Sequence, residues 1–503
     1  MASTIPARYF YIPSLLLALL AAFMFASFLN MAAVFPLHVT GMDYTSHMGR
    51  LYFLDQYGFG IAPNWYHGVD VFRFYPPALF VAMEPVYKLT GSIQLTFVIA
   101  VIAIYSLLAA AMYFLGSVLV EDKLKRIFFF ILFFFNPVSL MYLLVLGRAP
   151  EMLAWLFFLL FAILIWKYKD REIDAVFFLV VPVYSLLLLS HFSVFIAASP
   201  LLVSLFLVKK SLRERLSIML AAALAAVATA FWWIPLLFGS AGRGLGIGNS
   251  GNSFATIVPV EKVMLFVFPL LFLAALYWHY RNSGRKGMLF FLPLIVMALL
   301  DLTLTYQFVP FYNKLYVHHH SLLYLFFTLV LLFRLKFSKK IIDRAFLPVQ
   351  VAAVIILAGI FLFFADNTYS SGYSQKEMTL LGYFSQVDGP VLFTNDFTTA
   401  SPASPDFVSP AALLVYGTVY YNISSPDGWF PETQTPEYIE KLYHLRNQKL
   451  PCNEAAAIVA ELQAAYLVTY SGQCQALLEC NSFTLVDSGQ DTCLLRTTAA
   501  LSS

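Results

Sequence analysis

Asp43, His47 and Arg50 are spaced by four and then three residues in the run Thr40-Gly-Met-Asp43-Tyr-Thr-Ser-His47-Met-Gly-Arg50. In a helix that spacing puts all three on one face. A carboxylate there can take a proton from a hydroxyl. An imidazole beside it can orient that hydroxyl or bind a metal, and a guanidinium can hold a phosphate. A plainer role is open to the same residues: Thr40 as N-cap and Asp43 three positions on, closing a capping box.

Other residues with chemical capacity follow. Trp65, His67, Arg73 and Tyr75 lie in Pro63-Asn-Trp-Tyr-His67 and Phe72-Arg-Phe-Tyr75. With Glu151 they could form a platform for a sugar, or the rings could be an interfacial belt. Arg148 and Glu151 are spaced as an i,i+3 ion pair. His191, Arg243, Lys314 and the triplet His318-His319-His320 complete the set, with Asp301 and Tyr306 near the triplet. Consecutive helical residues diverge around the axis, so the three histidines cannot share one ion.

The elements that must position these residues are apolar. Only 12% of the 503 residues are charged and 60% are hydrophobic, against about 25% charge in soluble chains. A net charge of +3 gives no pull toward nucleic acid. Apolar runs at 9–35, 92–120, 127–146, 152–166, 175–190, 192–208, 217–238, 263–280, 288–305, 321–335 and 345–365 predict a polytopic α-helical membrane protein with about 11 transmembrane helices. The first run reads as a retained anchor. The stretch 175–208 is too long for one span and divides at Ser190-His191.

Lys and Arg concentrate at Arg8 and in 121–126, 167–171, 209–215, 281–286 and 334–344, and are sparse in the alternate connections. The positive-inside rule then places the N-terminus inside and the C-terminus outside. The cysteines point to the same side. Cys452, Cys474, Cys480 and Cys493 are confined to the tail, as disulfides in an oxidising compartment would be, with three pairings open. The outer segments are a first loop at 36–90, a glycine-rich loop at 239–262 and the tail. The predicted division is a transmembrane domain over 1–365 and an extracytoplasmic α/β domain over 366–503. In the tail, strands are predicted at Pro390–Thr394, Tyr466–Tyr470, Phe483–Val486 and Thr492–Leu495, and helices at Pro436–Asn447 and Asn453–Ala465. Asn422-Ile-Ser424 is a glycosylation sequon.

Asp43 shortly after the first span, in a long first outer loop, resembles the GT-C superfamily of membrane glycosyltransferases. Asp43-xxx-His47, Trp65, Phe74-Tyr75-Pro76-Pro77, Gly147-Arg148 with Glu151, Leu189-Ser190-His191 and Phe231-Trp232-Trp233-Ile234-Pro235 resemble, more narrowly, the membrane proteins named as related to 6-pyruvoyl-tetrahydropterin synthase. The resemblance spans residues 9 to 365. It implies a glycosyltransferase taking sugar from a polyprenyl-phosphate donor in the plasma membrane, to a glycan, lipid or protein acceptor on the non-cytoplasmic side. Asp43 would be the general base or, with His47, a ligand for Mg or Mn. Tyr44 stands where many members carry a second acidic residue. Arg50, Arg148, His191, Arg243 and Lys314 are candidate donor or phosphate contacts, by charge and side rather than by a matched motif. Two rival readings remain: a transporter or flippase of lipid-linked saccharides, and a non-catalytic assembly protein.

Overall fold

The computed structural model describes residues 2–4, 6–33, 42–239, 259–284, 287–309, 312, 315–338, 351, 375–394, 410–428, 434–479 and 481–498. Thr40, Arg243, Lys314, Cys480 and nearly all of the apolar run at 345–365 lie outside the described residues. The chain divides into two compact units. One comprises Met1–Ala26, Ala100–Ile234 and Ile247–Thr368; the other comprises Ser27–Ile99, Pro235–Gly246 and Tyr369–Ser503. The first loop, expected with the membrane domain, thus clusters with the tail.

Every other predicted apolar run coincides with helix. Five helices are long and apolar enough to cross a membrane: Arg8–Ala26, Ile93–Val118, Ala149–Lys169, Glu261–Asn282 and Val317–Arg334. Two bent pairs raise the count to seven among the described residues: Lys123–Phe134 with Pro137–Leu144 (49°), and Leu212–Ala228 with Ala230–Phe238 (69°). The first bend has a local cause. The Asn136 side chain accepts the Val138 and Ser139 amides at 2.9 and 3.1 Å, and Pro137 starts the next turn, so the helix ends and restarts there. Ala175–Ser190, Phe192–Val208 and Met288–Leu302 are shorter apolar helices. Extended backbone at His191 (φ −160°, ψ 117°) separates the first two, where the sequence predicted a turn.

In the first unit, β1 (Ala2–Thr4) pairs antiparallel with β2 (Lys336–Ser338). Aromatic edges hold the helices together. Phe326 meets Phe129, Phe133 and Phe158 at centroid separations of 5.3, 5.5 and 5.1 Å, and Phe133 meets Trp155 at 5.7 Å. Phenylalanine, with 50 residues in the chain, therefore serves helix packing.

The second unit contains a four-stranded sheet in the order β3 (Val391–Phe393), β4 (Tyr466–Tyr470), β6 (Thr492–Thr497), β5 (Phe483–Gly489). The β3–β4 pair is parallel and the others are antiparallel. All five residues of β4 are buried, as a central strand requires, whereas β5 is mostly exposed and carries an irregularity between Leu485 and Asp487. Thr435 caps the Pro436–Asn447 helix by accepting the Tyr438 amide at 3.3 Å. Cys474 and Cys493 form a disulfide across 19 residues, and Cys452 is disulfide-bonded too. Closing a loop of that size contributes about 3 kcal/mol. Cys474→Ser should accordingly lower the thermal midpoint of the purified chain, and reductant, which also opens the bridge at Cys452, should lower that of wild type further than the substitution does.

The first-loop segments and the tail interlock within this unit. Asn64 donates from Nδ2 to Asn422 Oδ1 (3.1 Å) and to the Ile423 carbonyl (3.3 Å), and its own carbonyl accepts the Ser425 amide at 2.7 Å. The Tyr66 hydroxyl donates to the Gly428 carbonyl at 2.9 Å, and His67 Nε2 donates to the Leu462 carbonyl at 2.8 Å. These contacts hold Tyr66 and His67 at φ 50° and 55°, left-handed values that cost non-glycine residues about 1–3 kcal/mol each. A Cβ on Gly428 would lie 2.6 Å from the Tyr66 ring. Gly428→Val should destabilise the unit by about 1–3 kcal/mol, read as faster proteolysis of both the first loop and the tail.

Beside Gly428, the buried Asp427 carboxylate meets Arg446 at 3.0 Å. Burial raises the Asp427 carboxyl, with Arg446 and the Gly428 amide pulling it back down. A raised folded-state value makes this group's contribution largest below the ordinary aspartate range, and it is lost as pH rises through the folded value. Arg446→Met removes the opposing cation. Its thermal midpoint should fall more steeply than wild type between acid and neutral pH.

Candidate functional site

Residues Met42–Tyr57 form the helix that the spacing of Asp43, His47 and Arg50 predicted. Asp43 is in its first turn and half-buried. His47 and Arg50 are 3% and 1% exposed. Arg50 Nη1 donates to His47 Nδ1 at 2.7 Å and to Ser46 Oγ at 2.8 Å, and the guanidinium lies 4.1 Å from the Tyr75 ring centroid. That assigns the His47 hydrogen to Nε2. Arg50 and Tyr75 therefore lock the helix just beyond Asp43, rather than presenting a surface phosphate contact and a sugar platform.

The rest of the expected platform is also differently employed. Trp65 is 1% exposed and edge-on to Phe53 at 4.7 Å, so it is neither platform nor interfacial belt. Gly49 makes room for it: a Cβ there would sit 3.1 Å from the indole. His67 is tied to the Leu462 carbonyl as described. Arg73 Nε donates to the Pro235 carbonyl at 3.3 Å, and its amide is capped by Asp70.

A second constellation lies in the first unit, around Glu151, which is fully buried at the start of Ala149–Lys169. Trp155 Nε1 donates to Glu151 Oε1 at 3.1 Å. His318 Nε2 is 3.1 Å from both carboxylate oxygens, His319 Nε2 is 3.4 Å from Oε1, and Arg148 Nη1 is 3.6 Å from Oε2. Arg148 also lies 3.0 Å from His318 Nε2 and 4.8 Å from the Tyr316 ring centroid. Tyr142 stacks on His318 at 4.2 Å and donates its hydroxyl to Glu261. The half-buried His191 ring lies 5.5 Å from that of His319. Thus Arg148, Glu151, His191 and the first two residues of the triplet, drawn from separate motifs, converge. Glu151 is their organising acceptor rather than part of an aromatic platform.

The donor atoms of Glu151, His318 and His319 lie within 4.8 Å of one another, close enough to hold a metal ion. The hydrogen bonding argues against that use. The Tyr316 amide donates to His319 Nδ1 at 3.2 Å, so that nitrogen keeps the lone pair and Nε2 of the neutral ring carries the hydrogen. Protonated Nε2 cannot ligate a metal. As placed, the group is a buried carboxylate surrounded by donors. Asp43 and His47 belong to no three-ligand group among the described residues.

His320 points elsewhere, as helical divergence requires. Its Nδ1 is 3.0 Å from Asp301 Oδ2, which also accepts the hydroxyls of Tyr324 (2.5 Å) and Tyr312 (3.1 Å). Sequence reasoning noted Asp301 and Tyr306 but missed this pairing. Its signal was present: an aspartate in the last turn of one apolar helix, followed by a histidine in the first turn of the next.

Residues 72–315 match a family described as 6-pyruvoyl-tetrahydropterin synthase related domain, membrane protein. The structure superposes on the apo Archaeoglobus fulgidus oligosaccharyltransferase with TM-score 0.55 at 12% identity, over 93% of this chain and 70% of that one. It superposes on arabinofuranosyltransferase AftD from Mycobacteria with TM-score 0.58 at 14% identity, over 98% of this chain. The fold is GT-C-like. This GT-C-like chain spans only 40% of the arabinofuranosyltransferase. No curated protein sequence matches it. The likeness in architecture, mostly helical with a small C-terminal sheet, is what the motif resemblance implied, and the chain is an integral membrane protein.

Proposed function

We propose that the chain is a glycosyltransferase that moves a sugar from a polyprenyl-phosphate donor to a hydroxyl acceptor on the non-cytoplasmic side, with Asp43 as general base. The observation that carries this reading is the anchored helix. Asp43 is half-buried in its first turn, while the next two turns are fixed by the His47–Arg50–Tyr75 contacts. A base held on a rigid element can meet a hydroxyl without reorganising. The acceptor oxygen forms a bond to the anomeric carbon, the bond from that carbon to the phosphate oxygen breaks, and the acceptor proton passes to Asp43. Polyprenyl phosphate leaves with the electron pair. A cation near the departing oxygen stabilises the charge that develops there. Arg148, Arg243 and Lys314 are our candidates for that role from charge and side alone.

The likeness to two glycosyltransferase structures supports the reaction class. Translocation of a lipid-linked saccharide draws on one observation, the buried Asp301–His320 pair, because transport paths use ionisable groups within the spans. Both residues lie within a turn of a helix end, however, which fits a membrane-surface site better than a path through the bilayer. The deciding experiment supplies the purified full chain with polyprenyl-phosphate sugars and short glycan, lipid and peptide acceptors. Sugar transfer is the expected result. Saccharide translocation in liposomes without transfer would replace this reading with the transport one.

A further inference from the structure

In the first unit, Arg8–Ala26, the part of Ile93–Val118 from Ala100 onward, and Lys123–Phe134 line a groove of about 600 Å³. Ala22, Ala109 and Ala110 keep it open, Phe25 and Phe130 line it, and Arg126 stands toward one end. Arg126 is only 6% exposed. Its two Nη atoms donate to the carbonyls of Tyr113 and Glu121, the latter at 3.3 Å, and its buried Nε has no hydrogen-bond partner. Among the described residues no carboxylate pairs with it. The nearby Asp122 side chain instead caps the Lys125 amide at 2.9 Å. The guanidinium also lies 5.9 Å from the Tyr113 ring centroid, and a buried cation with carbonyls and a ring but no counter-charge is costly next to apolar surface unless an anion comes to it. The helix beginning at Lys123 adds its positive end, and Lys123 itself lies 6.0 Å from the Tyr113 ring.

We propose that this groove binds an anionic phospholipid, with an acyl chain along the alanines and the phosphate at Arg126. Segment 121–126 is one of the basic clusters that the charge bias assigns to the cytoplasmic side, the leaflet where anionic lipids gather. That choice favours a resident phospholipid over a polyprenyl-phosphate substrate as the occupant.

The test is native mass spectrometry of the full chain released from nanodiscs holding equal amounts of phosphatidylglycerol and phosphatidylcholine. Wild type should retain phosphatidylglycerol by about tenfold over phosphatidylcholine, a difference of about 1.4 kcal/mol. Arg126→Gln should lose that preference, and Ala22→Trp, which fills the groove without touching the charge, should retain neither lipid. Equal retention of the two lipids by wild type would overturn the assignment. So would an unchanged preference in an Arg126→Gln or Ala22→Trp protein that elutes as wild type does. Preferential retention of a polyprenyl phosphate, when supplied beside phosphatidylglycerol, would overturn it as well.

Discussion

Asp43→Asn should reduce sugar transfer by about 10²–10⁴-fold, the usual contribution of a positioned general base, with little change in acceptor KM. That loss corresponds to about 3–5 kcal/mol of transition-state stabilisation. The competing role for Asp43, a charge at a helix start, is worth about 0.3–1 kcal/mol and acts on stability alone. The magnitudes separate the two roles. If Asp43→Asn keeps wild-type turnover and merely melts slightly earlier, Asp43 is a helix-end residue and the base lies elsewhere. Asparagine suits the experiment because it preserves volume and the hydrogen-bonding oxygen while removing the proton-accepting charge.

The second large effect is expected at Glu151. Its carboxylate is fully buried among Trp155, His318, His319 and Arg148. Glu151→Ala strands those donors and leaves the partly exposed Arg148 without its counter-charge. Removing one partner of a buried pair costs about 3–5 kcal/mol, enough to lower the folded yield sharply. Glu151→Gln keeps an acceptor for Trp155 and the imidazoles, so it should recover much of the stability while still impairing transfer if Arg148 contacts donor phosphate. Thermal unfolding in detergent measures the first effect and the transfer assay the second. Chelators should leave the wild-type thermal midpoint unchanged. A midpoint that rises with added zinc or manganese would show that His319 gives up its Nε2 hydrogen and that the cluster is a metal centre.

How far the sequence reveals this arrangement differs from element to element. Pro436–Asn447 and Tyr466–Tyr470 are found where they were predicted, since each carries its own signals: a threonine–proline start for the helix, and a short apolar run for the strand. The Pro410–Tyr421 helix was not anticipated. Its Leu-Leu-Val-Tyr-Gly-Thr-Val-Tyr-Tyr stretch has strand-forming composition, and packing against the Met42–Tyr57 helix overrides it. The apolar runs that predicted eleven spans say little about where a helix breaks. Asn136, Thr229 and His191 break apolar runs into shorter or bent pieces, and five to seven spans qualify among the described residues.

The candidate site was legible as residue types but not as partnerships. Glu151 and His318 are separated by 167 residues, and neither motif announces the other. Arg50 looked like a phosphate contact because an arginine's charge is visible in a sequence, whereas its burial against Tyr75 is a property of the fold. The same holds for Trp65. A tryptophan near a predicted membrane boundary suggests a belt, and only the missing side chain of Gly49 explains why it turns inward.

The Asn64–Asn422 contact joins positions 358 residues apart. At synthesis rates of about 5–20 residues per second, the first loop must wait roughly 20–70 s for its partner to leave the ribosome. Throughout that interval Tyr66 and His67 lack the tail carbonyls that hold their left-handed backbone. A nascent chain thus carries the Asp43 helix early but completes its surroundings only near the end of translation, so shortened products reach the membrane without the finished loop.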